Sequence, residues 1–137
     1  MIGIMNIFRG TDSPFRPADT DTFVGTAHVK LLASSDAATP VRVYQVAFDS
    51  GARTNWHSHS GPQWLLVIEG RIRVQTSGGA SQDVEAGDAV VIEPGEKHWH
   101  GAVPGARGVH LAVNVDFETT WLEPVSDAEY EPTYGEW

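Results

Sequence analysis

The stretch Gly51-Ala52-Arg53-Thr54-Asn55-Trp56-His57-Ser58-His59-Ser60-Gly61-Pro62-Gln63 decides how this chain is read. Turn formers bound it, and a His-x-His pair sits between them. In a β-strand residues i and i+2 point to one side, so His57 and His59 present both imidazoles to the same face. Gln63 keeps that parity and opens an almost wholly apolar run over residues 63–68, which reads as a strand buried on both faces. A second His-x-His, His98-Trp99-His100, follows the turn Glu93-Pro94-Gly95-Glu96-Lys97. Three neutral imidazoles and a carboxamide oxygen can hold a divalent first-row metal and leave positions open. A surface or satisfied core histidine is the plainer reading of one such pair. Two pairs, each bounded by Gly or Pro turns, move the reading to a metal site.

Outward from these pairs the chain is built of short strands. Residues 27–32, 41–48, 71–76, 89–92 and 109–115 carry β-forming side chains, Val84 marks a further strand, and Gly- or Pro-containing turns separate them. A strand about every ten residues points to an antiparallel sandwich or small barrel, not to a parallel α/β sheet. The first 23 residues, with Gly10, Pro14 and Pro17, read as an arm with one short strand. Residues 119–130 hold a short helical turn with Ser126 as its cap, and residues 131–137 read as extended. The division is an arm at 1–24, a barrel at 25–116 and a C-terminal extension at 117–137 that packs on the barrel.

Composition narrows the function. The 137 residues are 41% hydrophobic and 20% charged, enough for one domain with a core. Eighteen acidic against nine basic residues give a net charge of −9, and nothing basic follows Arg107. That balance argues against nucleic acid and anionic membrane surfaces as partners and is what solubility alone requires. No apolar run reaches the roughly 20 residues of a membrane span. Residues 1–9 lack the pattern of a secretory signal, and Met5 is a candidate initiator with residues 1–4 as an extension. Cysteine is absent, which excludes disulfides, thiolate metal sites and cysteine nucleophiles; a cytoplasmic location is expected.

The motifs resemble those of the cupin superfamily. Gly51, His57, His59, Gln63 and Gly70 stand at the spacing of the first cupin signature, with Gln63 where most cupins place Glu. Glu93-Pro94-Gly95-Glu96-Lys97-His98 resembles the end of the second signature, with Glu93 at its Pro position. The resemblance implies an all-β fold, a single-domain jelly-roll β-barrel with the metal inside, held by His57, His59, Gln63 and His98. A narrower likeness follows from Gly51-Ala-Arg-Thr, His98-Trp99-His100-Gly101-Ala102, His110-Leu-Ala and the tail Trp121 to Tyr130. These are similar to the small manganese-dependent cupins with hydroxynitrile lyase activity. That likeness implies one divalent transition metal per subunit, manganese first, with iron, nickel, zinc or cobalt as alternatives. Gln63 is neutral, so the donor set carries no negative charge and a bound metal is the stronger Lewis acid.

Strand parity places the rest of the candidate site. Tyr44, Val46 and Phe48 share a face, and the large ring of Phe48 sets it inward. His110, Ala112 and Asn114 share another. His110 is either a structural histidine or a general base near the metal, as the resemblance implies; Asn114 and Tyr44 are its candidate companions. His100 orients a ligand or forms a wall. Trp56, Trp64 and Trp99 are out of phase with the ligands and read as core or interface aromatics. Arg53 and Lys97 are solvated turn charges or steer an anionic substrate. The reading is a metal-dependent lyase acting on a small organic molecule. A dioxygenase, an isomerase or cyclase, and a non-catalytic binding module remain the alternatives. Five tryptophans exceed what a small core needs, so a homodimer or homotetramer is expected, with the arm across the partner.

Overall fold

The computed structural model describes residues 5–132. The candidate initiator extension at 1–4 and most of the tail assigned as extended lie outside the described residues. Short strands lead in: β1 (Arg16–Pro17), β2 (Phe23–Val24), β3 (Ala27–Ser35) and β4 (Val41–Phe48). The first signature forms β5 (Arg53–Thr54) and β6 (His57–His59), and then comes the long β7 (Gln63–Thr76). After it run β8 (Gln82–Glu85), β9 (Ala89–Ile92), β10 (His98–Ala102), β11 (Gly108–Val115) and β12 (Thr119–Trp121). One helical turn, α1 (Asp127–Tyr130), closes the described chain, and Ser126 caps it through a complete capping box with Glu129. The protein is the nearly all-strand, curled jelly-roll that its short, evenly spaced strands required.

Every pairing is antiparallel, and the order is β1-β3-β4-β11-β7-β10-β5-β2. The strand β7 belongs to both layers. Its first half pairs with β11 and β9, and its second half with β10 and β8. The bend falls at Gly70, whose φ is +65° and where a Cβ would lie 2.2 Å from the Arg107 carbonyl oxygen, so only glycine fits. The two predicted strands on either side of Gly70 are therefore one strand folded over the core.

Phe48, Val46, Val67, Ile72 and Ala102 fill the space between the layers, with Leu65, Ile92 and Ala112 beside them. Phe48 and Leu65 are wholly buried, and each such side chain contributes roughly 1.5–3 kcal/mol. Residues 63–68 depart from the expectation of burial on both faces. Gln63, Leu65 and Val67 point in, while Trp64 and Ile68 each remain 46% exposed. An outward face that is itself apolar gives the same unbroken hydrophobic run as a doubly buried strand.

A third cluster lies outside the layers, where Trp56 and Trp99 pack on Val125 and Tyr130 of the C-terminal extension. Arg53 is pinned here instead of being a solvated or steering charge, and it is 4% exposed. It donates to the Val125 carbonyl and to Asp127 at 2.8 Å, and stacks 4.4 Å from the Tyr130 ring. Lys97 pairs with Glu123 at the surface. No helix among the described residues is long and apolar enough to cross a membrane.

Candidate metal centre and its cavity

Strand register, more than loop geometry, gathers the histidines. His57 and His59 share the inner face of β6, and His98 on β10 lies directly opposite His57. The ring centroids are 4.2 Å apart for His57 and His98, 5.0 Å for His57 and His59, and 5.5 Å for His59 and His98. Gln63 opens β7 opposite Asn114 of β11 and donates to Asn114 Oδ1 at 2.7 Å. Its Oε1 is thereby turned toward His98 Nε2, 3.2 Å away. The turn before His98 is tied to the first motif, because Gly95 N donates to the His59 carbonyl at 2.8 Å. The four predicted donors therefore converge, and all are buried.

Hydrogen bonds set which ring nitrogens are free. His57 Nδ1 donates to the Asn55 carbonyl and His98 Nδ1 to the Glu96 carbonyl, both at 2.8 Å. A carbonyl only accepts, so each of these rings carries its proton on Nδ1 and leaves a bare lone pair on Nε2. His59 Nδ1 lies 2.9 Å from the Thr119 hydroxyl. Desolvation by burial, with His98 as neighbour, lowers the pKa of His57 well below the ordinary histidine value and that of His59 to about 4. Burial lowers His98 as well. These are neutral imidazoles, and in His57 and His98 the Nε2 lone pair is free, the protonation state that metal ligation requires.

The donor set fits a cation on a second count. His98 Nε2 and Gln63 Oε1 are both acceptors, yet they face each other at 3.2 Å with no proton to share. Two facing lone pairs repel unless a positive charge lies between them. His59 Nε2 is buried with no hydrogen-bond partner among the described residues. Nitrogens of His57, His98 and His100 also lie within 4.8 Å of one another, so a group chosen by mutual distance takes His100 in place of His59. Both groupings share His57 and His98, and either can hold a divalent metal.

A cavity of about 250 Å³ opens onto this cluster. Phe23, Val29, Tyr44, Val46, Phe117 and Trp121 form apolar walls, and His57, His59, Gln63, His100, Asn114 and Thr119 supply polar ones. Tyr44, Val46 and Asn114 thus line it as strand parity predicted, while Phe48 packs inward behind them. His110 does not form the wall. It is fully buried against Phe48, and its Nε2 lies 2.9 Å from His100 Nδ1, so it meets the cavity through His100. Burial lowers the pKa of His110 to about 4 and that of His100 well below the ordinary value, the latter also through His110 and His57.

Phe117, Thr119 and Trp121 were missed as site residues, because the one element the sequence suggests after residue 116 is the helical turn capped by Ser126. The helical turn begins at Asp127, and Thr119–Trp121 is strand β12, paired with β6. Their i, i+2, i+4 spacing was the signal available.

This is a β-barrel of the jelly-roll type with histidine donors clustered in its interior. The chain belongs to the cupin family: the sequence pattern described as "Cupin domain" matches residues 44–114. It is similar to the (R)-mandelonitrile lyase of Granulicella tundricola, with 39% identity over 113 residues, 80% of this chain and 86% of that protein. Among solved structures it is similar to a cupin-like protein from Thermotoga maritima, with 34% identity and a TM-score of 0.84 over 93% of this chain and all of that one. The polyketide cyclase RemF from Streptomyces resistomycificus shares the fold, with a TM-score of 0.68 and 21% identity over 93% of this chain and 91% of its own.

Proposed function

We propose that this cupin is a metal-dependent lyase that cleaves small α-hydroxynitriles, with His57, His59, Gln63 and His98 holding the ion. The 39% identity to an (R)-mandelonitrile lyase across most of both chains carries the reading. The cavity agrees with it: aromatic and aliphatic walls suit an aryl or alkyl group, and the polar side suits a hydroxyl. Manganese is the first candidate ion. When bound, a divalent ion supplies Lewis acidity that lowers the pKa of a nearby hydroxyl.

The chain's own groups do the rest. Phe117 and Trp121 hold the organic group against Val46, and the Tyr44 hydroxyl donates to the substrate oxygen. The hydroxyl proton passes to the hydrogen-bonded His100–His110 pair. The carbon–carbon bond then breaks with its electron pair on the cyanide carbon, a carbonyl forms, and the imidazolium returns the proton to cyanide. Asn114 fixes the Gln63 amide so that its oxygen faces the donors.

The test is benzaldehyde release from mandelonitrile by manganese-loaded and chelated protein, with oxygen uptake followed in parallel. Metal-dependent release supports the lyase. No release with any divalent ion overturns it, and oxygen consumption would assign a dioxygenase instead. His110→Ala is expected to keep its metal and lose about 100-fold or more in turnover.

The apolar outer face supports a homodimer as part of the same proposal. Trp64 is flanked by Val91 on β9 and Val113 on β11, and Leu66 by Ala89 and Leu111. Met5, Ile7 and Phe8 of the arm are also exposed and suit packing across a second copy. Light scattering at micromolar concentration is expected to give twice the subunit mass; a mass near 14.9 kDa refutes the dimer.

A further inference from the structure

Two histidines of the cluster, His57 and His98, share a design, and the third, His59, breaks it. His57 and His98 each donate Nδ1–H to the carbonyl two residues earlier, Asn55 and Glu96. These contacts are local to the strand and its turn, so they form whenever β6 and β10 form. The Nδ1 of His59 instead meets a hydroxyl 60 residues away, that of Thr119, at 2.9 Å. A hydroxyl donates or accepts with equal ease, so the tautomer of His59 depends on what Thr119 does. Meanwhile His59 Nε2 is buried and has no hydrogen-bond partner among the described residues, which points it at a ligand.

The segment that brings Thr119 there is a strap. Among the described strands β12 pairs only with β6, with Thr119 opposite His59 and Trp121 opposite His57. The side chains of Thr119 and Trp121, and of Phe117 two residues before the strand, all touch donor histidines. Phe117 meets His59 edge-on with centroids 5.7 Å apart, and the Trp121 ring lies 4.6 Å from that of His57. The intervening Thr120 is exposed. Period-2 alternation therefore sends one complete face of this C-terminal strand onto the metal-ligating pair.

We propose that Thr119 is a positioning residue for the metal centre: its hydroxyl accepts from His59 Nδ1, fixes the tautomer that frees Nε2, and so sets how tightly the cluster holds an ion. The proposal rests on the metal reading above. Partners of this kind orient a ligating ring, and their loss typically costs about 10–100-fold in metal affinity. The C-terminal extension thereby completes the donor set from outside the two signature motifs.

The test uses the full chain and the ions themselves. Apparent affinities for manganese(II) and zinc(II) are measured by competition with a chelator for wild type, Thr119→Val, Thr119→Ser and Thr120→Val. Imidazole ¹⁵N resonances of the metal-free proteins report the His59 tautomer. Thr119→Val is expected to weaken binding about 10–100-fold and shift the His59 ring away from its Nδ1–H form. Thr119→Ser, which keeps the hydroxyl, and Thr120→Val should both stay within about threefold of wild type on the same scale. Wild-type affinity in Thr119→Val overturns the proposal, as does a loss in Thr119→Ser equal to that in Thr119→Val. If valine prevents folding, Thr119→Ala reads the same loss. Wild-type protein that takes up no ion overturns the metal reading, and the ¹⁵N spectrum still decides Thr119: an unchanged His59 tautomer in Thr119→Val rejects it.

Discussion

Two regions of this protein bury polar side chains, and they treat them in opposite ways. In the C-terminal clamp, Arg73 makes a two-bond pair with Asp83 at 2.8 and 3.1 Å and also donates to the carbonyls of Tyr130 and Glu131. Arg53 is similarly saturated, and the Tyr130 hydroxyl donates to the Ala102 carbonyl. In the histidine cluster the ring nitrogens are left over. Among the described residues, three of the five buried side-chain polar atoms without a partner are His59 Nε2, His100 Nε2 and His110 Nδ1. Satisfied buried charge holds a fold together, whereas unsatisfied buried lone pairs weaken it. The other two of the five are Asn55 Oδ1 and Trp56 Nε1, so the histidine cluster concentrates such atoms, the pattern of a site that a ligand completes.

The sharpest way to break this contrast is to remove a donor. His57→Ala should lose roughly 3–4 kcal/mol of metal affinity, its share of a four-donor site, and so about 100-fold or more in binding. Metal analysis after dialysis checks it, and unchanged content contradicts the donor assignment. Removing a clamp residue should do the reverse. Arg73→Ala is expected to cost about 3 kcal/mol in chemical denaturation, because it strands buried carbonyls and Asp83. The metal-to-protein ratio of its folded fraction should not change. If it falls with stability, clamp and cluster are one unit and the contrast fails.

Acid sharpens the comparison further. The folded-state pKa of His110, about 4, lies below the ordinary value of 6.5, so the unfolded chain binds a proton first as pH falls. This contribution is therefore complete above about pH 6.5 and is lost on acidification, by about 2 kcal/mol on reaching about pH 5. Metal-free His110→Gln should show a shallower decline than wild type over that window; parallel curves would mean that His110 is not held neutral by burial. The smallest effect belongs to the clamp's own cap. Ser126→Ala should cost about 1 kcal/mol in thermal denaturation and leave metal affinity unaltered.

The histidine pairs were legible in the sequence because they depend on local rules. Two His-x-His pairs state their facing by strand period alone, and the turn at Pro94-Gly95 sets where β10 begins. The cap at Ser126 was equally local. Burial was read less well. The run at 63–68 suggested two buried faces because Trp64, Leu66 and Ile68 are apolar whether or not anything covers them. Arg53 read as a turn charge, since nothing near it in sequence reveals that Val125 and Asp127 fold back onto it.

By itself, then, the sequence determined the strand-rich class, the two histidine pairs and the place of the neutral Gln63 beside the first of them, all matters of spacing within a few residues. Only the tertiary structure decided that His100, and not His110, lines the cavity, and that Thr119 rather than a backbone carbonyl holds His59. Those facts come from strands that meet across 60 residues of chain between His59 and Thr119, and across two layers between His100 and His110. Such pairings are set by the packing of the whole barrel, for which no local pattern stands in.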